Sequence, residues 1–295
     1  MDGQFVVVEL QGRLGNQLFQ FASGLGIARH RRARLRFLTR RVAIDDLVLP
    51  ALIGERFRAP TTTELLRVGA VRDGTPAARV LQPLALRAVR LGRRLARRQP
   101  PNVVVWEDTG RYRPEVLERD LPLRIVGHLQ SERYFADVAR EIVEAIRLPD
   151  VPPMAHGLPT VGVSFRRGDY NNLRWALPLS YYEDAMRFVT DRLGPVVLVL
   201  FGDDRDFVEL AGDRLSRFGD VVSGLAAGDD PVTQLAAMVD CDHHVIANST
   251  FAWWGAWLRD QRHEGGRIVV APSEFRGHDR LPDRWHTIDA GVERI

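Results

Sequence analysis

The alternation of apolar and polar stretches along the chain predicts a repeated succession of strands and helices. Short apolar, β-branched runs at 5–10, 160–165 and 196–201 predict buried strands. The segments 16–31 and 179–194 instead carry apolar residues at helical spacing. A strand, a turn and a helix repeated in this order are typical of α/β proteins with parallel sheets.

The rest of the pattern extends this organisation to both halves of the chain. Further strands are predicted at 103–106, 123–129, 220–224, 243–248 and 267–272, the last of them closing the fold. Further helices are predicted at 83–101, 131–148, 206–218, 230–242 (capped by Asp230) and 249–261. The proline-rich segment 148–159 has no periodicity and marks a domain boundary. We therefore predict two Rossmann-like domains, 1–150 and 151–295, facing a central cleft.

Composition narrows the class of protein. Hydrophobic residues make up 45% and charged residues 27% of the chain, as in an ordinary folded protein. No apolar run is long enough to span a bilayer, and the first residues carry no basic segment typical of a signal peptide. We expect a cytoplasmic protein. The single cysteine, Cys241, excludes an internal disulfide and a cysteine-based zinc site.

Positive charge is supplied entirely by arginine and is clustered. Seven arginines lie between Arg29 and Arg41 and six between Arg87 and Arg98. Such clusters suit phosphate, nucleic acid or an anionic membrane, although a solvated surface explains each equally well. Nucleic acid is not favoured, because the clusters lack interleaved aromatic residues and the net charge is only +3. The basic helix around 83–99 gives one hypothesis of peripheral membrane contact, with an ordinary surface helix as the alternative.

Two adjacent arginines follow the predicted strand 160–165. Arg166 and Arg167 can hold a diphosphate through bidentate, charge-assisted hydrogen bonds, and Gly168 allows the backbone to come close. Asp169 would orient one arginine or accept a proton. The alternative is an exposed salt bridge between Asp169 and one of the two arginines.

A second group lies where the predicted strand 243–248 passes into a helix. Asn248, Ser249 and Thr250 stand at that helix start, where free N–H groups and hydroxyls form an anion site. An ordinary N-cap explains Ser249 equally well, and the following Trp253 and Trp254 are more typical of a core.

A third group follows the first strand. Gly12 and Gly15 resemble a dinucleotide-binding fingerprint only loosely, because they lie three residues apart rather than two. NAD binding is therefore not favoured. Arg13 and Asn16 on this turn fit a substrate or leaving-group contact better.

Acidic residues complete the candidate site. Asp203 and Asp204 follow the strand 196–201, and Asp242 precedes the strand 243–248. The Asp242 carboxylate could accept the N1–H and the amino group of a guanine, or it could be an ordinary loop acid. No Asp-x-Asp pair has the context of a cleft and no histidine cluster has the spacing of metal ligands, so we expect no metal.

Four segments together resemble the α-1,2-fucosyltransferases of glycosyltransferase family 11. They are GRLGNQLFQFA at 12–22, SFRRGDY at 164–170, FGDD at 201–204 and DCDHHVIANSTFAWWGAWL at 240–258. The resemblance implies a GT-B-like fold, GDP-L-fucose as donor, inversion at the anomeric carbon and no obligatory metal or other cofactor. It also implies a galactoside acceptor on a glycan or polysaccharide repeat unit, which a lipid could carry.

The resemblance assigns roles by position. It implies that Arg166 and Arg167 bind the pyrophosphate and that Asp242 binds the guanine. It implies that the β-phosphate is bound by Ser249, Thr250 and Phe251. Arg13 and Asn16 would lie at the reacting centre. Asp203 and Asn248 complete the predicted donor site. Asp169 is the first candidate for the general base and Glu9 the second, and a buried structural carboxylate is an equal alternative for either.

One position departs from the family pattern. The family usually has histidine two places before the first arginine, where this chain has Ser164. A serine cannot act as a base there. Two alternatives therefore stay open, a catalytically silent nucleotide- or sugar-binding protein of the same fold and a transferase that uses another GDP-sugar.

Overall fold

The computed structural model describes residues 4–70, 102–105, 111–155, 157–173, 175–228, 230–262, 266–275 and 279–291, with the backbone alone at 102–105, 169, 172, 225 and 226. The chain divides into two compact units, Met1–Ala145 and Ile146–Ile295. The sequence placed this division after residue 150. Each unit contains a parallel sheet with helices, which confirms the predicted α/β class with two Rossmann-like domains.

The first unit is built on a four-stranded sheet in the order β2-β1-β4-β3, with every pair parallel. Its strands are β1 (Phe5–Gln11), β2 (Arg34–Arg41), β3 (Asn102–Val105) and β4 (Leu123–Val126). Its helices are α1 (Leu14–His30), α2 (Leu49–Ile53), α3 (Thr62–Arg67) and α4 (Ala139–Ala145). The apolar run of β1 is fully buried, as its continuous hydrophobicity predicts.

Helix α1 packs very closely against the segment before α4. A Cβ atom at Gly26 would lie 1.9 Å from the carbonyl oxygen of Tyr134, so no other residue fits there without a backbone shift. The tight packing fixes α1 against this segment.

The second unit is built on a six-stranded parallel sheet in the order β10-β9-β8-β5-β6-β7. Its strands are β5 (Thr160–Ser164), β6 (Val196–Phe201), β7 (Gly219–Ser223), β8 (His243–Val245), β9 (Val269–Pro272) and β10 (His286–Ile288). Its helices are α5 (Gly168–Asn172), α6 (Leu179–Leu193), α7 (Arg205–Leu215), α8 (Pro231–Asp240) and α9 (Thr250–Arg262). Asp230 caps α8 as predicted, because its carboxylate accepts from two N–H groups of the first turn.

Helix α9 carries an aromatic cluster into the core of this unit. Trp253, Trp254 and Trp257 are at most 1% exposed, and the rings of Trp253 and Trp285 lie 5.4 Å apart between centroids. The indole N–H of Trp253 donates to the carbonyl of Arg280. These tryptophans form the core, as the alternative interpretation of the sequence held.

Several elements differ from the sequence predictions. Strands β2 and β10 were not predicted, and 267–272 is therefore not the last strand. The helix predicted at 131–148 is shortened to α4 and preceded by 3₁₀ turns, and the strands predicted at 123–129 and 243–248 each end early. The basic helix predicted at 83–101 lies outside the described residues.

Candidate functional site

The second sheet has a topological switch point between β5 and β8. The chain passes from β5 to β6 and β7 on one side, then to β8, β9 and β10 on the other. In open parallel sheets, the crevice at the carboxyl ends of two such strands is where ligands bind. Here the residues that leave these two ends are Arg166 and Arg167 after β5 and Asn248 and Ser249 after β8.

Asp203, beyond the end of β6, organises the turn after β5. Its Oδ2 lies 2.7 Å from Nη1 of Arg166, and its Oδ1 accepts from the backbone N–H groups of Arg167 and Gly168 at 2.8 and 3.3 Å. A Cβ atom at Gly168 would lie 2.8 Å from the same carboxylate, so glycine permits this approach. Arg166 therefore pairs with Asp203, a partner that sequence reasoning did not assign, and Asp203 acts by positioning the arginine turn. The side chain of Asp169 lies outside the described part of the structure.

Tyr170 links the two loops of the switch point. The Arg166 guanidinium lies 5.3 Å from the centroid of the Tyr170 ring, and the Tyr170 hydroxyl donates to the carbonyl of Asn248 at 3.3 Å. The Asn248 amide in turn donates to the carbonyl of Trp175 at 2.9 Å. The structure thus brings Arg166 and Asn248 to one site.

Two buried polar atoms at this site have no hydrogen-bond partner among the described residues. They are Nε of Arg167 and Oδ1 of Asn248. The Arg167 guanidinium lies 4.1 Å from the ring centroid of Phe207, and its Nη1 reaches the carbonyl of Leu177 at 3.4 Å. Buried polar groups are almost always satisfied in folded proteins. The Arg167 donor and the Asn248 acceptor are therefore available to form hydrogen bonds with a ligand or with ordered water.

The first turn of α9 lies at the same edge. Ser249, Thr250 and Phe251 are partly exposed, and the first helical hydrogen bond runs from the N–H of Trp253 to the carbonyl of Ser249. No acidic residue lies in this turn. Its N–H groups and its partial positive charge can therefore receive an anion.

Ser164, at the position where the resemblance implies a histidine, has a structural partner. It is the last residue of β5, it is only 5% exposed, and its hydroxyl accepts from the N–H of Ala247 at 3.1 Å. Because β8 ends at Val245, the Ser164 side chain continues the connection between the two strands where the backbone ladder stops.

Asp242 does not join this site. It precedes β8 and pairs with Thr160 at the start of β5, which places it at the amino edge of the sheet, opposite Arg166. Its carboxylate also forms ion pairs with Arg259 at 2.7 Å and Arg267 at 3.1 Å. Burial raises the pKa of Asp242, but the hydrogen bonds from Thr160 and Arg259 outweigh it and hold this pKa below its ordinary value. We therefore remove Asp242 from the predicted donor site.

The first sheet has its own switch point, between β1 and β4. Nε2 of Gln11, the last residue of β1, lies 3.2 Å from Nε2 of His128, and the amide of Gln130 donates to Asn16 at 2.8 Å. Arg13 is exposed at the turn after β1. His128 was predicted to lie inside a longer strand and not to be a site residue; its place just after the carboxyl end of a parallel strand is the signal that could have identified it.

Glu9, the second candidate for the base, is enclosed. Its carboxylate is fully buried and accepts from Arg40, Arg41 and Arg124. A carboxylate held by three guanidiniums is not poised to remove a proton, so this assignment is withdrawn.

The described residues show neither a cluster of metal-ligating side chains nor a helix that could span a membrane. They contain no group of three or more His, Cys, Asp or Glu side chains that could hold a metal ion. None of the helices formed by the described residues has the length and apolar character needed to cross a membrane.

Residues 130–281 match a family model described as glycosyl transferase family 11. An α-1,2-colitosyltransferase of Escherichia coli is 28% identical over 186 residues, covering 57% of this chain and 63% of that protein. The O-antigen biosynthesis glycosyltransferase WbnK of Escherichia coli is 31% identical over 136 residues, covering 43% of each. The chain thus spans less than two thirds of these relatives.

Two solved structures show more distant similarity. A crystal structure of POFUT1 in complex with GDP-fucose is 13% identical, with a TM-score of 0.47 and coverage of 91% of this chain and 98% of that one. The fucosyltransferase NodZ from Bradyrhizobium is 14% identical, with a TM-score of 0.46 and coverage of 86% and 92%.

Proposed function

The chain belongs to glycosyl transferase family 11, and from that membership we propose that it transfers L-fucose from GDP-L-fucose to a hydroxyl of a galactoside. The reaction inverts the anomeric carbon, forms an α-1,2 linkage and uses a glycan or polysaccharide repeat unit as acceptor. The observation that carries the proposal is the switch point between β5 and β8, where Tyr170 contacts both Arg166 and the carbonyl of Asn248, two residues before α9 begins.

In the proposed reaction, this site must stabilise a leaving diphosphate. As the acceptor oxygen bonds to the anomeric carbon, the bond from that carbon to the β-phosphate oxygen breaks and negative charge grows on GDP. A guanidinium has five N–H donors, so Arg166 can hold Asp203 and a phosphate oxygen together. The N–H groups at the start of α9 supply further positive potential. The acceptor proton goes to a base, for which Asp169 remains the predicted residue.

We propose that no metal takes part, because arginine and helix dipole can supply the charge that a cation supplies elsewhere. Activity should then persist in excess EDTA. Complete loss that Mg²⁺ or Mn²⁺ restores would refute this part of the proposal and leave the donor assignment standing.

The two relatives support the proposal in different ways. The α-1,2-colitosyltransferase supports the linkage, and the O-antigen glycosyltransferase supports a polysaccharide repeat unit as acceptor. The colitosyltransferase also favours a second candidate function, in which the sugar transferred is colitose. A screen of nucleotide sugars by nucleotide release, with and without a galactoside panel, separates the two. Binding of GDP-fucose with no release under any condition would instead favour a silent binding protein.

Substitution of Arg166 tests the site directly. Arg166→Ala should lower kcat by about 10²–10³-fold, as expected when one electrostatic stabiliser is lost. Arg166→Lys keeps the charge but loses the planar fork, so it should also lose much of the activity. The matched control is Arg187→Gln, which removes an exposed arginine paired with Asp184 in the same unit. Unchanged kcat and kcat/KM in folded Arg166→Ala would refute the assignment.

A further inference from the structure

A buried carboxylate in the first unit gathers three arginines. Glu9 is 0% exposed; Arg40 donates to its two oxygens at 3.0 and 3.2 Å, and Arg41 donates through Nε at 2.9 Å. Arg124 on the neighbouring strand β4 completes the group. A buried carboxylate needs compensation, because isolating it from water costs several kcal/mol. One guanidinium would neutralise it; here there are three.

A β-bulge accounts for the presence of two consecutive arginines. The register between β1 and β2 shifts between Glu9 and Gln11, so that Glu9 lies opposite Leu38 but Gln11 lies opposite Arg41. Strand β2 therefore contains one extra residue. Successive side chains of a regular strand point to opposite faces, and the bulge re-aims one of them. Arg40 and Arg41 consequently reach the same carboxylate, which a regular strand would not permit.

The group retains an excess of positive charge. Three guanidiniums and one carboxylate leave a formal charge of +2, and among the described residues no second carboxylate pairs with these arginines. Burial lowers the pKa of Arg124, the pairing with Glu9 opposes this effect, and repulsion from Arg40 and Arg41 adds a smaller lowering. The outer arginines reach solvent, since 25% of the Arg40 side chain and 47% of the Arg41 side chain are exposed. Arg41 contacts Glu9 through Nε, and within the described part of the chain its two terminal nitrogens have no hydrogen-bond partner.

The arginine group borders the switch point of the first sheet. Arg41 lies opposite Gln11 in the sheet register, and the Gln11 side chain contacts His128. The excess charge thus lies next to the edge where a ligand of this unit is expected.

We propose that Arg40 and Arg41, held in place by Glu9, form an anion site that takes the phosphate or diphosphate group of a ligand. Arg124, whose Nη1 donates to the carbonyl of Gly69, holds Glu9 from the other side. These residues belong to the first unit, whereas the proposed donor site belongs to the second, and the inference goes beyond the proposed transfer reaction. Glu9 supplies the framework: it fixes the guanidinium planes, and the terminal nitrogens of Arg41 then meet phosphate oxygens in the bidentate manner typical of arginine.

The test is titration calorimetry of the full chain at low salt, with pyrophosphate, inorganic phosphate and galactose 1-phosphate as probes. Arg41→Gln should weaken binding of at least one probe by about tenfold or more, as expected for a lost charge-assisted contact. The three probes distinguish a free phosphate from a phosphate ester. The matched control is Arg29→Gln, because Arg29 is also a partly exposed arginine that pairs bidentately with a glutamate, Glu141, in the same unit. It should leave the affinities within about twofold.

A GDP titration separates the two sites. Arg41→Gln should leave GDP affinity within about twofold, whereas Arg166→Gln should lower it, a result that bears on the proposed function alone. Equal binding of all probes by wild type, Arg41→Gln and Arg29→Gln would overturn the anion site. So would an equal loss of GDP affinity in Arg41→Gln and Arg166→Gln. If Arg41→Gln does not fold, Arg41→Lys provides the same comparison, because it keeps the charge and loses the fork.

Discussion

Replacement of Asp242 by asparagine should destabilise the protein and leave its affinity for GDP unchanged. The Asp242 carboxylate forms two ion pairs, with Arg259 and Arg267, and accepts two hydrogen bonds from Thr160. An asparagine of nearly the same shape has no charge, and it presents N–H donors to partners that are themselves donors. Both guanidiniums would then be left near the core of the second unit without a counter-charge.

The burial of the partners sets the magnitude. The side chains are 31% exposed for Asp242, 15% for Arg259 and 21% for Arg267, which is intermediate between a surface and a buried pair. Exposed ion pairs contribute about 0.2–1 kcal/mol each, whereas breaking a buried pair costs about 3–5 kcal/mol. We therefore expect Asp242→Asn to lower the free energy of unfolding by about 1–3 kcal/mol. The melting temperature should fall by about 2–4 °C for each kcal/mol.

Urea unfolding at several pH values provides the assay. The pKa of Asp242 is held below its ordinary value in the folded protein, so its contribution is complete above the unfolded pKa of about 3.9 and is lost as the pH falls through the folded value. The difference between wild type and Asp242→Asn should accordingly be constant at neutral pH and narrow below about pH 4. The matched control is Asp184→Asn, whose exposed pair with Arg187 should contribute within about 0.5 kcal/mol.

Two outcomes would refute this reasoning. The first is a variant as stable as wild type, which would mean that the ion pairs contribute nothing. The second is a stable variant that has lost tenfold or more of its GDP affinity. That result would return Asp242 to the donor site in spite of its position at the amino edge of the sheet.

Three further predictions concern other parts of the molecule. Asp203→Asn should lower GDP affinity about tenfold, measured by calorimetry, because Arg166 loses its charged partner; unchanged affinity would remove the positioning role. Gly26→Ala should lower the free energy of unfolding by about 1–3 kcal/mol, because its Cβ would meet the Tyr134 carbonyl; an unchanged urea midpoint would contradict this. Burial lowers the pKa of His244 to about 4. Its contribution to the free energy of unfolding is therefore complete above about pH 6.5 and falls by up to about 3 kcal/mol towards pH 4. A wild-type urea midpoint that is unchanged between pH 7 and pH 5 would refute this prediction.

The sequence was sufficient for the elements whose cause is local. The continuous apolar runs of β1, β5 and β6 predicted buried strands, and Asp230 predicted the start of α8. Both predictions were possible because strand burial and helix capping depend on a few residues that are adjacent in the sequence. The position of Arg166 and Asn248 at strand ends also followed from local pattern.

Features that depend on distant partners could not be predicted in the same way. Strand β2 has the sequence RLRFLTRR, whose arginines suggest a surface, and only the buried Glu9 and Glu64 make that pattern compatible with a sheet. Likewise the partner of Arg166 comes from the end of another strand, and neighbouring Asp169 was the natural choice from sequence. The error at Asp242 is of a different kind. It precedes its strand, so the polarity of a parallel sheet already placed it at the wrong edge.

The tryptophan cluster of α9 determines which part of the molecule can be followed optically. Of the six tryptophans, five lie at 175, 253, 254, 257 and 285 in the second unit, and only Trp106 belongs to the first. The Trp253 and Trp254 rings lie 5.1 Å apart between centroids, and the Trp254 and Trp257 rings are separated by the same distance, close enough for their excited states to couple. Indole fluorescence and near-ultraviolet circular dichroism will therefore record chiefly the unfolding of the second unit. Loss of structure in the first unit needs a backbone signal or a tryptophan introduced there.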